Sequence, residues 1–234
     1  MNSYKIAQLV TNVVTKEPRF ERLSAAYKIP YTDKADIVID VTKEDIKKIA
    51  NEHPNLKDKD CTYSAVATKF YLKLIDFDGM MLHSAAVVLD DNAYLFMATS
   101  GTGKSTHANL LLEYFKDRAY ILNGDLPAIR LVDDTFYAYG TPWSGKEEVN
   151  INKRVPIKAI VILERSKVNT VRKATSMEAM QMILSQTIRS NNADTMTKLF
   201  DTMEKLLKKV PVYKMGCNIS TKAVQMIYNE INRG

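Results

Sequence analysis

The segment that most restricts the fold of this 234-residue chain is Ala98–Ser105, with the sequence Ala-Thr-Ser-Gly-Thr-Gly-Lys-Ser. Its spacing matches that of a phosphate-binding loop, with Ala98 in the place of the first glycine. Such a loop follows a strand and opens a helix, because backbone amides and the positive end of the helix dipole together face the phosphates. An apolar stretch precedes this loop and an amphipathic one follows it. The alternative is a glycine turn that merely caps a helix.

Each residue type in the loop has its own physical task. The glycines let backbone N–H groups turn toward phosphate oxygens, Lys104 is expected to neutralise the β- and γ-phosphates, and the Ser105 hydroxyl is placed to bind Mg²⁺. ATP and Mg²⁺ are therefore the predicted ligands. The loop residues expected to contact the nucleotide are Ser100, Gly101, Thr102, Gly103, Lys104, Ser105 and Thr106.

Asp125 is the candidate catalytic carboxylate. It follows the short predicted strand Ala119–Leu122, which comes after the loop helix, so it is expected at the carboxyl edge of the sheet beside the loop. There it could hold the metal or take a proton from a hydroxyl nucleophile. The alternative is a structural aspartate in a turn before Pro127.

One of the three histidines is a candidate site residue, and the other two are expected on the surface. His83 begins the apolar run that leads to the loop; if that strand runs antiparallel to the loop strand, His83 lies near the phosphates. A packed or capping histidine is the alternative. His107 is expected on the surface of the loop helix, and His53 on the surface beside Pro54.

A second unusual segment is Gly140–Glu147, which holds the only tryptophan of the chain. It is predicted to be a loop that folds over the nucleotide or receives the acceptor, with Trp143 and Lys146 contacting the nucleotide; a structural turn is the alternative. Arg165 could face the phosphates or form a surface salt bridge.

The hydrophobic pattern predicts a mixed α/β fold in two parts, a mixed lobe over residues 1–75 and a nucleotide-binding domain over 76–234. The second part has a helical region at 176–209 and a final strand and helix at 210–234. Ala65–Ile75 fits helix or strand. The predicted strands are Tyr4–Val14, Asp36–Val41, Met80–Leu89, Ala93–Thr99, Ala119–Leu122, Ala128–Val132, Phe136–Tyr139, Ile157–Glu164 and Val212–Met215, and the helices include Lys43–Asn51 and 104–116.

Composition narrows the class of partner. The formal net charge is +6, from 33 Lys and Arg against 27 Asp and Glu, which suits an anionic ligand such as a nucleotide. No block of like charges predicts nucleic-acid binding, and no apolar run is long enough to span a membrane. Two cysteines and no apparent secretory signal lead us to expect a cytoplasmic protein. The composition leaves open whether the chain forms a homo-oligomer.

The order of these motifs resembles the HPr kinase/phosphorylase and phosphoenolpyruvate carboxykinase superfamily. The resemblance covers about residues 80–165 and is carried by His83-Ser84-Ala85-Ala86-Val87, the Ser100–Ser105 run and Asn123-Gly124-Asp125. It implies a partly antiparallel sheet with a phosphate-binding loop. It also implies that His83 is the active-site histidine, Lys104 the phosphate lysine, Ser105 and Asp125 the Mg²⁺-linked pair, and Asp125 a candidate base.

The chain also departs from that superfamily. Leu126 stands where a second acidic residue is expected, which argues against phosphorylase chemistry and a two-carboxylate metal site. The predicted function is an ATP- and Mg²⁺-dependent kinase whose acceptor is a hydroxyl, either a serine of a peptide or protein or a small molecule. The alternatives are a diverged carboxykinase-like enzyme acting on an oxoacid and a nucleotide-sensing protein without an acceptor.

Overall fold

The structure, a computed structural model, describes residues 1–99 and 101–233. Within those residues the chain forms thirteen strands and seven α-helices. The strands are β1 Asn2–Ile6, β2 Leu9–Val14, β3 Lys28–Ile29, β4 Ile37–Asp40, β5 Gly79–Met81, β6 Ala85–Leu89, β7 Asn92–Met97, β8 Ala119–Asn123, β9 Ala128–Val132, β10 Thr135–Tyr139, β11 Arg154–Arg165, β12 Thr170–Lys173 and β13 Val212–Cys217. The helices are α1 Pro18–Leu23, α2 Lys43–Glu52, α3 Asp58–Leu74, α4 Lys104–Phe115, α5 Ser176–Ser185, α6 Ala193–Lys209 and α7 Thr221–Ile231.

The first four strands form a small sheet in the order β3-β1-β2-β4. The prediction of one strand over Tyr4–Val14 is wrong, because the chain reverses at Ala7 and Gln8 and β1 pairs antiparallel with β2. Both turn residues have positive φ, 50° and 66°. Glycine and asparagine usually mark such a turn, so the sequence carried no signal for it.

Two helices complete this first part of the chain. The predicted helix at Lys43 is confirmed as α2, and its start is fixed by a capping box in which Thr42 and Asp45 each bond the other's backbone N–H. The segment Ala65–Ile75, which fitted either helix or strand, lies almost entirely in the seventeen-residue α3. One face of α3 supplies Phe70, Tyr71 and Leu74 to the core beneath the small sheet.

The larger sheet has nine strands, with β5-β9-β10-β11-β7-β6-β8 as its main path; β13 also pairs with β11, and β12 pairs with β13. β7, the strand that leads into the loop, pairs antiparallel with β6 and parallel with β11. The predicted mixed α/β fold is therefore confirmed, and β6 and β7 form a hairpin directly before the loop. β8 is also antiparallel to β6, so β7, β8, β11 and β13 all end at one edge of the sheet.

The predicted strand Met80–Leu89 is wrong as a single element. Residues 79–81 form β5, which pairs with β9, and residues 85–89 form β6, which pairs with β7 and β8. Residues 82–84 connect β5 to β6 and belong to neither strand. The backbone N–H of Ser84 donates to the carbonyl of Asp125, 2.9 Å away. His83 therefore lies two residues before β6, at the edge where β8 ends.

Helices cover both faces of the larger sheet. Ala85 and Val87 of β6 face α4 and α7, whereas Ala86 and Val88 face α5 and α6, as the two-residue period of a strand requires.

The methionines of the C-terminal helices are only partly buried. Met203 and Ile183 lie in the core, but Met177 is 70% exposed. Met177 stands two residues before the buried Ala179, which places it about 200° around the helix on the opposite face.

None of the helices within the described residues is long and apolar enough to cross a membrane.

Candidate functional site

The loop at the end of β7 turns through two glycines with positive φ, Gly101 at 76° and Gly103 at 113°. Residues with a side chain rarely adopt these values. α4 begins directly after Gly103, so its first backbone N–H groups lie at the loop. The hydroxyls of Thr99 and Thr102 lie 2.8 Å apart and close the turn. Ser100, expected to contact the nucleotide, lies outside the described residues.

A cavity of about 850 Å³ opens beside this loop. Of the predicted site residues, Gly101, Thr102, Gly103, Lys104, Ser105, Thr106, Asp125, Trp143 and Lys146 line it. The rest of its wall comes from Arg19, Leu56, Asp60, Tyr63, Ser64, Thr99, Gly124, Leu126, Ser144, Gly145 and Glu147. Strand ends, the 140–147 segment and the first part of the chain thus all meet at one site.

Three predicted residues are in direct contact beside this cavity, which Lys104 and Asp125 line and His83 does not. His83 Nε2 lies 3.0 Å from Asp125 Oδ1 and 3.1 Å from Lys104 Nζ. A single ring nitrogen either donates or accepts a hydrogen bond. Nε2 therefore donates to the Asp125 carboxylate when it carries a proton, and accepts from the Lys104 ammonium group when it does not. Burial lowers the pKa of Lys104, and the negative charge of Asp125 opposes that shift.

Asn123 fixes the position of Asp125, although sequence reasoning gave this residue no role in the site. Its buried Oδ1 accepts hydrogen bonds from the backbone N–H groups of Asp125 and Leu126, both at 2.9 Å. Its Nδ2 donates to the carbonyl of Thr141 at 3.1 Å. One side chain therefore joins the turn that carries Asp125 to the segment that carries Trp143.

Gly145 brings the 140–147 segment directly against Asp125. A Cβ on Gly145 would lie 2.8 Å from the Cβ of Asp125, and the φ of Gly145 is +73°. Both the close approach and the backbone conformation require glycine here. The segment therefore packs on the candidate carboxylate, and the exposed Lys146 follows at the cavity wall.

The side chain of Trp143 is fully buried. Its ring lies 5.0 Å from Phe70, 5.4 Å from Tyr71 and 5.8 Å from Phe20, measured between centroids. The tryptophan expected to contact the nucleotide is thus a core side chain, although the residue lies at the cavity wall. A large aromatic ring gains more by burial than by lining a polar cleft.

Arg19 is a site residue that sequence reasoning missed. Its Nε lies 3.1 Å from Glu148 Oε1, its guanidinium stands over the Tyr63 ring at 4.5 Å, and it donates to the carbonyl of Gly145. It joins α1 to the segment that packs on Asp125. No motif marks Arg19, because its partner lies 129 positions away in sequence.

The prediction that His107 lies on the surface of the loop helix is wrong. It is buried rather than on the helix surface, and its ring packs against Phe96 with centroids 5.0 Å apart and the ring planes tilted by 53°. Its Nε2 has no hydrogen-bond partner among the described residues. Burial lowers the pKa of His107 to about 4.

Comparison with known proteins places the chain in a family. The family model described as "SynChlorMet cassette protein ScmC" matches residues 57–231, about three quarters of the chain, so the chain belongs to this family. No curated protein matches it in sequence. Among solved structures it is similar to the Hpr(Ser) kinase/phosphatase from Coxiella burnetii, with a TM-score of 0.39 and 10% identity, covering 64% of this chain and 95% of that one. That similarity is too distant to define an activity, and the predicted superfamily stays a prediction.

Proposed function

We propose that this ScmC-family chain is an ATP- and Mg²⁺-dependent kinase that transfers the γ-phosphoryl group to a hydroxyl. The acceptor is a serine of a peptide or protein, or a small molecule. The observation that carries the proposal is the contact of Lys104, His83 and Asp125 at the start of a helix, beside a cavity that Lys104 and Asp125 line. A cation for phosphates and a carboxylate for a hydroxyl proton are the two charges that this transfer needs. A cytoplasmic location belongs to the same proposal.

Lys104 is suited to a polyanionic ligand because it is only half-buried at the first position of α4. A triphosphate on the loop would supply the counter-charge that burial otherwise denies its ammonium group. The N-terminal end of α4 adds a positive partial charge at the same place. Both effects favour phosphate over a neutral ligand.

The donor set fits Mg²⁺. The Ser105 hydroxyl and the Asp125 carboxylate line the same cavity, and oxygen ligands are those that Mg²⁺ prefers. No group of three or more His, Cys, Asp or Glu side chains in the described ranges is placed to hold a metal. This suits an ion that takes most of its ligands from phosphates and water. When bound, Mg²⁺ would neutralise charge on the β- and γ-phosphates.

Asp125 is the proposed base for the acceptor hydroxyl, and His83 is the residue that positions it. With its Nε2 protonated, His83 donates to Asp125 Oδ1 and holds the carboxylate toward the cavity. The Asn123 side chain holds the backbone of the same turn. A fixed carboxylate at hydrogen-bond distance from the hydroxyl would accept its proton as the new P–O bond forms and the bond between the γ-phosphorus and the β–γ bridging oxygen breaks, with ADP as the leaving group.

The test is Asp125→Asn, which keeps the shape of the side chain and removes its charge. We expect ATP affinity within about tenfold of wild type, and phosphoryl transfer or slow ATP hydrolysis reduced about 10²–10⁴-fold. Glu147→Gln, which removes one carboxylate from the same cavity wall, is the control and should retain turnover. Near-normal turnover of Asp125→Asn would show that Asp125 is not the base. ATP binding by wild type without product from any hydroxyl acceptor would favour the nucleotide-sensing alternative.

A further inference from the structure

A groove of about 990 Å³ lies between α2, α3 and residues 187–191, which connect α5 to α6. We call it the helix groove. It contains no residue of the loop after β7 and does not contain Asp125. It adjoins the cavity beside that loop, because Leu56 and Ser64 line both spaces.

Helix α3 passes from one space to the other. Tyr63 and Ser64, near its start, line the cavity beside the loop, and Ser64, Thr68 and Leu72 line the helix groove. At about 1.5 Å per residue, the path from Ser64 to Leu72 is about 12 Å long. A ligand that lies along α3 would therefore occupy the groove and extend into the cavity that Asp125 lines.

The opposite wall of the helix groove is backbone without hydrogen-bond partners. Residues 187–191 belong to no helix or strand. Among the described residues, none of their carbonyl groups accepts a hydrogen bond, and only the N–H of Ser190 donates one, to the sulfur of Met196 at 3.3 Å. The buried hydroxyl of Thr187 also lacks a partner there. A run of backbone with free N–H and C=O groups can pair with an added peptide strand.

This wall is joined to the candidate site. The carbonyl of Gln186, one residue before it, accepts a hydrogen bond from the backbone N–H of His83 at 2.8 Å. His83 Nε2 in turn lies 3.0 Å from Asp125 Oδ1. A strand paired with residues 187–191 would be about 17 Å long, at about 3.3 Å per residue, and its end beside Thr187 would lie within a few residues of Asp125.

The helix groove has more free positive charge than free negative charge. Lys69 is paired with Asp45, with 2.5 Å between the charged atoms. Lys48 and Arg189 are exposed and take part in no ion pair within the described part of the chain; of the acidic residues that line the groove, Glu52 alone is in the same condition there. The groove is therefore suited to a ligand with acidic side chains.

We infer that the helix groove binds an extended, acidic polypeptide segment, and that a serine of this segment is the phosphoryl acceptor at Asp125. The inference rests on the proposed function and selects the polypeptide from the two acceptor classes that it leaves open. The backbone of the segment would pair with residues 187–191, and its acidic side chains would contact Lys48 and Arg189. In the transfer the serine Oγ bonds to the γ-phosphorus, the bond from that phosphorus to the β–γ bridging oxygen breaks, the serine proton passes to Asp125 and ADP leaves. A small-molecule acceptor would leave the groove and its unpaired backbone without a ligand.

The test uses radiolabelled ATP, Mg²⁺ and a library of peptides of about twelve residues, about 40 Å when extended, each with one central serine and otherwise random residues without hydroxyl groups. Wild type should phosphorylate the library and prefer peptides with Asp or Glu on one side of the serine. Thr68→Trp, which fills the groove, should reduce phosphorylation about tenfold or more, with ATP affinity by calorimetry within about twofold of wild type, because Thr68 does not line the cavity beside the loop. Lys73→Trp is the control: it adds the same side chain at an exposed position of α3 that lines neither space, and it should retain phosphorylation.

A second pair of variants tests the charge without filling the groove. Lys48→Glu/Arg189→Glu should lower kcat/KM for the best acidic peptide about tenfold or more and remove the preference for acidic residues. Lys47→Glu/Lys73→Glu makes the same change in net charge at exposed lysines of α2 and α3 that line neither space. This control should keep the preference.

The outcomes separate this inference from the proposed function. Phosphorylation of a small hydroxyl compound such as glycerol by wild type, with none of the peptide library, would overturn the inference and leave the proposed function in place. Unchanged peptide phosphorylation and preference in both Thr68→Trp and Lys48→Glu/Arg189→Glu would do the same. So would a wild type that sediments as a dimer beside a monomeric Thr68→Trp with full peptide phosphorylation, since the groove would then be covered by a second copy of the chain. If wild type does not bind ATP, or binds it and phosphorylates neither peptides nor small hydroxyl compounds, both proposals fail.

Discussion

Replacing His107 by leucine should remove a pH-dependent loss of stability. The residue is 3% exposed, its ring packs against Phe96, and its Nε2 lacks a partner among the described residues. Burial lowers the pKa of His107 to about 4 from its ordinary value of 6.5. The native protein therefore keeps this imidazole neutral through a pH range in which the unfolded chain protonates it.

The size of the effect follows from linkage. Between pH 6.5 and pH 4 the unfolded state binds one more proton at this residue than the native state, so the free energy of unfolding rises with pH across that window. One pKa unit corresponds to about 1.4 kcal/mol, and the shift therefore amounts to about 3 kcal/mol. Wild type should lose this amount relative to His107→Leu as the pH falls from 7 to 4, and little more below pH 4.

The assay is urea unfolding of wild type and His107→Leu at pH 7, 6, 5 and 4. The difference between their unfolding free energies cancels the titration of every other group that the substitution leaves alone. His107→Asn separates titration from packing, because its stability at pH 7 can differ from that of the leucine variant while its pH dependence should agree. A difference from wild type that stays constant with pH in both variants would refute the neutral, buried imidazole.

Three further expectations concern the packing around the site. Trp143→Ala should lower the free energy of unfolding by about 3–5 kcal/mol in urea titrations, because it empties the core position between Phe20 and Phe70, and a cost below 1 kcal/mol would contradict that burial. Gly140→Ala should greatly reduce the yield of folded protein judged by circular dichroism, since its Cβ would stand 1.9 Å from the carbonyl oxygen of Ile151; normal stability would contradict that packing. A double-mutant cycle on Arg19 and Glu148 should give a coupling energy of about 1 kcal/mol in thermal or urea unfolding, and no coupling would show that the pair does not join α1 to the site.

Elements with strong local signals could be predicted from the sequence. The capping residues Thr42 and Ser220 mark the starts of α2 and α7, and each side chain accepts a backbone hydrogen bond as the local pattern requires. The hairpin of β6 and β7 and the helix after the loop follow from apolar runs and their periods. These features depend on residues within a few positions of one another, so the sequence around each is sufficient.

Features that depend on distant partners could not be predicted. Trp143 in a glycine-rich segment suggests a binding loop until Phe20, Phe70 and Tyr71, from remote parts of the chain, are found around it. The same holds for Arg19, whose role comes from Glu148. Helical periodicity alone did not place His107, because the β7 residue that covers it, Phe96, contributes nothing to the pattern of α4.

The direction of β6 is what makes the candidate site possible. β6 runs antiparallel to both β7 and β8, so Ser84, directly before β6, donates to the backbone carbonyl of Asp125, two residues after β8, and His83 reaches the Asp125 carboxylate. If β6 ran parallel to its neighbours, its start would lie at the far edge of the sheet, about 17 Å away for five residues at about 3.4 Å each. His83 could then contact neither Lys104 nor Asp125. The strand order therefore determines which groups meet: the parallel ends of β7 and β8 supply the loop and the carboxylate, and the segment that enters the antiparallel β6 between them supplies the histidine.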